Sequence, residues 1–220
     1  AELTSIKDAS GTEYLWQGNP EFWSGQAPVL FPIVGCLRNG TATIGDNKTC
    51  SFGRHGLARR LEFDLVSSSD TSVTYSLKAN DKTKEQYPYD FELQMTYELT
   101  EHGVKVSHTV INHDSVVMPY CVGGHPAFNC PVFENESFED YIVEFEQPEN
   151  AACAQLTEDG LINNAGRVSV LENEAVIPVR HSLFYKDALV FDALKSRKVA
   201  LKHKKTGHGI LVSFPDFDYL

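Results

Sequence analysis

The chain of 220 residues carries 30 acidic against 19 basic side chains, a formal charge of −11 at neutral pH, with 42% hydrophobic residues. This balance argues against a nucleic-acid partner, which rewards clustered Lys and Arg, and no apolar run approaches the length of a membrane-spanning helix. The length suffices for one sizeable core.

The predicted elements are nearly all β. The opening AELTSIKD reads as the second half of a strand entering a turn at Ala9-Ser10-Gly11. The apolar stretch LFPIVG (30–35) ends on Gly35, with Arg38 in the turn that follows, and a strand is expected at 61–67. Period-two alternation marks strands in SVTYSLK (72–78), FELQMTYEL (91–99) and KVSHTVIN (105–112), the last two joined by a hairpin loop at Thr100–Gly103. Between them DKTKEQYPYD (81–90) holds a helical turn that Pro88 stops. Further short strands are expected at 116–121, 141–146, 188–192, 197–203 and 209–214, with a hairpin turn around Lys204–Gly207. Short strands without alternating helices point to an all-β fold, one antiparallel β-sandwich domain over 1–220. Strand-like residues at both ends, AELTSIKD and GILVSFPDFDYL, lead us to expect a fragment incomplete at both ends.

The cysteines Cys36, Cys50, Cys121, Cys130 and Cys153 are odd in number and form no CxxC pair. Neither a disulfide framework nor a zinc knuckle is expected, and a reducing, cytoplasmic setting is. The glycosylation-like triplets at Asn39, Asn47 and Asn135 then read as chance matches. No GxSxG elbow, P-loop or GxGxxG is present. His203 and His208 flank the last hairpin turn, and His108 and His113 lie near a strand end, all without a partner at a metal-ligand interval. We read them as solvated turn histidines and expect no metal and no cofactor.

Chemistry concentrates where polar side chains follow apolar strands beside glycines. In GGHPAFNCP (123–131), Gly123 and Gly124 allow close approach and unusual backbone angles, while Pro126 pushes His125 toward an extended conformation. Alone, this fits a surface histidine at a strand end as well as a proton-transfer group. FGRHGLARRLEF (52–63) sets His55 beside Gly56 with Arg54, Arg59 and Arg60, and LFPIVGCLRNG (30–40) adds Arg38. Together these pieces suggest a concave site of two histidines and two arginines. In FYKDALVFDAL (184–194), Asp187 stands at the mouth of an apolar run, as a site carboxylate or a turn former.

In order and wording, EYLWQGNPEFWSGQAPVLFPIVG (13–35), RHGLAR (54–59), GGHPAFNCP (123–131), DALVF (187–191) and SFPDFDYL (213–220) resemble the aldose 1-epimerase (galactose mutarotase) family, in its LacX-like branch. The resemblance runs along essentially the whole chain. It implies a large, twisted antiparallel β-sandwich with an open face for a hexose, and interconversion of α and β anomers. That reaction needs an acid for ring oxygen O5 and a base for the O1 proton, with no redox step. By motif, His125 resembles the general acid and His55 the second active-site histidine. Asp187 resembles the carboxylate that grips sugar hydroxyls, and Arg38 a substrate-binding arginine. Arg59 resembles an arginine that hexose-6-phosphate epimerases place near substrate. Cys36 stands where LacX-like sequences often carry arginine. The family's general base is a glutamate in a segment beyond SFPDFDYL, and no residue of 1–220 matches it. Two alternatives stand beside a neutral-hexose epimerase: a hexose-6-phosphate 1-epimerase, and a noncatalytic carbohydrate-binding module stacking sugars on Trp16, Trp23 and Phe128. The sequence leaves the oligomeric state open.

Overall fold

The computed structural model describes residues 2–45 and 47–220. They divide into two compact units, Ala1–Thr4 with Gly18–Pro126, and Ser5–Gln17 with Ala127–Leu220.

In the first unit, the alternation read from the sequence becomes a four-stranded antiparallel sheet. Its strands are β4 (Asp64–Ser68), β5 (Ser72–Lys78), β6 (Phe91–Thr100) and β7 (Gly103–Asn112), side by side in chain order. Register sets Phe91 opposite Asn112 and Met95 opposite His108, so Phe91, Leu93 and Met95 share the face that is fully buried. Helix α1 (Asp81–Gln86) starts because Asn80 and Thr83 exchange side-chain-to-backbone hydrogen bonds, and it stops at Tyr87, ahead of Pro88. Tyr87 then turns inward against Phe31, Phe52, Phe91 and Tyr89, with ring centroids 4.9–5.9 Å apart. Each such side chain contributes about 1.5–3 kcal/mol by leaving water. The Tyr87 hydroxyl donates to the Pro119 carbonyl at 2.8 Å. A hairpin of β2 (Thr41–Ile44) and β3 (Lys48–Ser51) lies in the same unit. So does the two-residue pairing of β1 (Val29–Leu30) with β8 (Gly123–Gly124).

Glu92 is the acidic group buried in this sheet. Its carboxylate accepts from Gln94 (2.7 Å) and Ser76 (2.8 Å), with His113 and Lys78 beside it, and these hold its pKa down at about 2 against the pull of burial.

The second unit is built on a long hairpin of β9 (Tyr141–Leu156) and β10 (Ile162–Pro178). β11 (Lys198–His203) pairs with β9, and β12 (Gly209–Ser213) with β11, all antiparallel. Between the pairs Glu149↔Glu174 and Glu144↔Val176, β9 carries residues 145–148 and β10 only Ala175. Pro148 sits in that bulge, where a missing N–H breaks no ladder bond to β10. Buried Glu149 caps the neighbouring turn, accepting from the Ser196 N–H (2.6 Å) and hydroxyl (2.7 Å). Residues 5–17 join this unit through the Leu15↔Phe128 bridge and the Trp16 N–H to the Ala127 carbonyl, 2.9 Å.

Two expected strands do not form. Residues 116–121 contain Pro119, which has no donor, and their carbonyls are taken by side chains, Val116 by Asn112 and Pro119 by Tyr87. Residues 188–192 follow Asp187 at φ 75°. There Phe191 exchanges backbone bonds with Leu220 alone, at 2.8 and 2.9 Å. The β2–β3 hairpin, the outer half of β9 and all of β10 were not expected from periodicity. Bulges shift the β9–β10 register, so no run of strict alternation announces that hairpin, and β2 and β3 are only four residues each. All five cysteines are free thiols. No described helix is long and apolar enough to cross a membrane.

Candidate active site

The first unit brings together His55 and His125, which are far apart in its sequence. Phe31 makes this possible. Its carbonyl accepts from Leu57 (2.9 Å) and Ala58 (3.2 Å), and a parallel bridge sets Phe31 beside Gly56. A Cβ on Gly56 would stand 2.2 Å from that carbonyl oxygen, and its φ of +75° disfavours any side chain, so glycine is required.

His55 is itself left-handed, at φ 68°. A non-glycine residue there costs about 1–3 kcal/mol, and a two-way clasp with Gly35 offsets it. The His55 N–H donates to the Gly35 carbonyl at 2.7 Å, and the Gly35 N–H donates to His55 Nδ1 at 3.0 Å. Because Nδ1 accepts, the neutral ring carries its proton on Nε2, which is fixed as a donor.

His125 arrives from β8, which is tied to β1, and its N–H donates to the Pro28 carbonyl at 3.1 Å. Its side chain is exposed while His55 is half-buried. The ring centroids lie 5.5 Å apart at 60°. Half-buried Trp23 also stands against His125, 5.2 Å away and tilted by 53°. The sequence reading gave Trp23 to the sugar-binding alternative and missed its place against His125. The signal available was the small residue at Gly25, which leaves the indole room. Gly123 and Gly124 do not use the left-handed region as expected. They act as β-residues, and a Cβ on Gly124 would meet only ordinary contacts near 3.8 Å.

The other expected site residues are placed as follows. Arg38 is exposed and opens a single 3-10 turn, Arg38–Gly40. Arg59 is half-buried in a second such turn, Ala58–Arg60. Cys36 is approached by Arg54, whose Nε donates to its Sγ at 3.4 Å. Asp187 belongs to the second unit, exposed, with its Oδ1 accepting from the Ala188 N–H at 2.7 Å. Its local conformation is that of a turn former.

Of the four histidines expected to be solvated, His113 is exposed, beside Glu92 at 3.2 Å, while His108 and His208 are half-buried and His203 is buried. His108 lies mid-strand in β7, where burial pushes its pKa down and favours a neutral ring. His203 is buried, and with Glu136 and His208 it sets one ligand-type atom each within 4.8 Å of the others. Their hydrogen bonds are spent on one another and on the hairpin turn. The Thr206 hydroxyl bridges His203 Nδ1 (2.8 Å) and His208 Nδ1 (2.7 Å). His208 Nε2 meets Glu136 (3.1 Å) and the Tyr141 hydroxyl (3.0 Å), and that hydroxyl also donates to Glu136. The two imidazoles stack at 5.1 Å and 10°, with the Thr206 hydroxyl between their Nδ1 atoms. Burial and the Glu136 charge push the nearby Cys130 thiol up to about 12, away from thiolate chemistry. A cavity of about 370 Å³ in the same unit, lined by Asn150, Ala152, Arg167, Phe191 and Asp192, holds none of the expected site residues. Its guanidinium is already committed to Asp192 and the Ala152 carbonyl.

Comparison with known proteins bears on this geometry. A family model described as Aldose 1-epimerase matches residues 1–219. The chain is 43% identical over 225 residues to the plasmid-borne Protein LacX of Lactococcus lactis subsp. lactis, covering 100% of this chain and 75% of that protein. Among solved structures, it is similar to a galactose mutarotase related enzyme from Lactobacillus acidophilus, with a TM-score of 0.88 and 31% identity over 100% of this chain and 77% of that one. It is also similar to a galactose mutarotase-like protein from Lactobacillus casei, with a TM-score of 0.90 and 32% identity over 100% and 75%. The all-β, antiparallel, mutarotase-like fold expected from the sequence is therefore the fold of this chain.

Proposed function

This chain belongs to the aldose 1-epimerase family, and from that premise we propose that it is an isomerase interconverting the α and β anomers of a hexose, with His125 as general acid. The observation that carries the reading is the exposed His125 imidazole set against His55, whose Nδ1 is held by a backbone N–H. In the forward step His125 gives a proton to O5 as the C1–O5 bond breaks, and the O1 proton leaves to a base as the C1=O1 bond forms. Rotation about C1–C2 presents the other face of the aldehyde, and the reverse transfers close the ring. His55, with Nε2 as its donor, stabilises the developing hydroxyl at O5. The base is a carboxylate, which the family resemblance puts on a glutamate with no match in residues 1–220, so the assignment covers the acid side. Asp187 and Arg38 are proposed to bind hydroxyls, and the substrate is a neutral hexose in a cytoplasmic setting.

Polarimetry of freshly dissolved α-glucose and α-galactose tests this in the full-length protein. A rate well above spontaneous mutarotation is expected. A folded protein that leaves the spontaneous rate unchanged while still binding the sugar would overturn it in favour of the noncatalytic module.

A further inference from the structure

We propose that Trp23 is the platform on which the pyranose ring stacks, and that it sets substrate affinity at the site of His125. This rests on the reading of His125 as the acid, and it adds a residue to which no role in the reaction has been given.

Three observations carry it. First, the indole is half-buried with its ring centroid 5.2 Å from that of the exposed His125 imidazole at 53°, and the His55 ring lies 5.5 Å from the same imidazole at 60°. Second, the indole is seated by its backbone. The Phe22 and Trp23 N–H groups both donate to the Asn19 carbonyl, at 3.1 and 2.9 Å, and Asn19 Oδ1 accepts from Glu21 at 3.0 Å. Third, Gly25 packs directly on the six-membered ring. A Cβ there would stand 2.4 Å from Cζ2 and 2.7 Å from Cε2, so a side chain at 25 would evict the indole.

The chemistry matches a pyranose. A sugar ring has faces of C–H groups, which an aromatic surface takes from water, and an edge carrying O5 and the hydroxyls. A wall tilted to that platform meets the edge. A ring lying on Trp23 therefore turns its rim toward His125, where the O5 proton must be delivered. An acid this exposed needs such a partner, because without one the substrate edge has no fixed distance from it. Stacking is present in both the ground and transition states, so its loss raises KM and spares kcat.

Two measurements on the full-length protein test the proposal. In Trp16→Phe, Trp23 is the remaining tryptophan of the two in residues 1–220, and any other in the full-length chain is replaced in the same way. Titration with galactose or glucose is expected to change its fluorescence saturably, with half-saturation near KM. In Trp23→Ala, KM is expected to rise roughly 3- to 10-fold with kcat within about twofold, and Trp23→Phe to recover most of the affinity. An unchanged KM in folded Trp23→Ala, or sugar-insensitive fluorescence in an active enzyme, overturns the platform. If Trp23→Ala does not fold, the fluorescence titration and Trp23→Phe decide. Absence of mutarotation in the wild type with an intact fluorescence response instead overturns the epimerase reading and leaves Trp23 as a sugar contact.

Discussion

Among the described residues, two pairs of neighbouring histidines stand ring to ring, and they are spent differently. His55 and His125 in the first unit lie 5.5 Å apart with one ring exposed, and the Gly35 N–H holds His55 Nδ1. His203 and His208 in the second lie 5.1 Å apart, nearly parallel, with Nδ1 of His203 and both nitrogens of His208 met by Thr206, Tyr141 and Glu136. Closeness of imidazoles is therefore no guide to chemistry. A ring offered to solvent and steered by backbone can serve a ligand, whereas a ring whose lone pairs are committed to neighbouring side chains holds a turn in place.

The sharpest way to break this contrast is to exchange the pairs' expected phenotypes. His125→Gln is expected to lower kcat for mutarotation on the order of 10²–10⁴-fold, because an amide cannot supply the O5 proton, with the unfolding midpoint nearly unmoved. A twofold loss would make His125 a structural residue. Gly56→Ala should damage both properties, since the Cβ meets the Phe31 carbonyl at 2.2 Å and the His55 clasp must shift. About 2–4 kcal/mol of stability is expected to go, read by denaturant unfolding, with activity falling alongside. His208→Ala is the mirror image, costing about 1–3 kcal/mol by removing the imidazole that Glu136, Tyr141 and Thr206 share, while kcat/KM stays within about twofold.

The same cluster has a pH signature. Burial alone would raise the Glu136 pKa, but the Tyr141 hydrogen bond and His208 together hold it below the usual 4.5. Its folded value lies under its unfolded one, so between the two the unfolded state binds more protons. The contribution of Glu136 is thus complete above about pH 4.5 and lost as pH falls through its depressed folded value. Glu136→Gln should flatten that part of the acid unfolding curve, measured as midpoint against pH, and an unchanged curve would remove Glu136 from the clamp. The smallest effect is assigned to Arg59→Ala, which should alter kcat/KM for glucose by less than about threefold. A strong preference of the wild type for glucose 6-phosphate, abolished in that variant, would move the substrate to the phosphate ester through bidentate guanidinium contacts.

Sequence by itself determined what depends on near neighbours. SVTYSLK alternates, and β5 spans those same residues, Ser72–Lys78. Asn80 and Pro88 bracket α1 because a cap and a missing donor act within a few residues. The family was legible too, since its motifs are local strings in a fixed order. Tertiary structure decided the rest. The apolar stretches at 116–121 and 188–192 fit a strand as well as β5 does, but no neighbouring chain offers them a ladder. β10 forms through Asn, Gly and Glu because β9 pairs with it across repeated bulges. His55 and His125, 70 positions apart, meet only once the Phe31 carbonyl has fixed one loop and the β1–β8 pairing the other. Trp23 joined them, and His203 left the solvent, for the same reason. A side chain's local sequence sets its conformational preference, while its partners and its exposure come from hydrogen bonds and packing with residues far away in the chain.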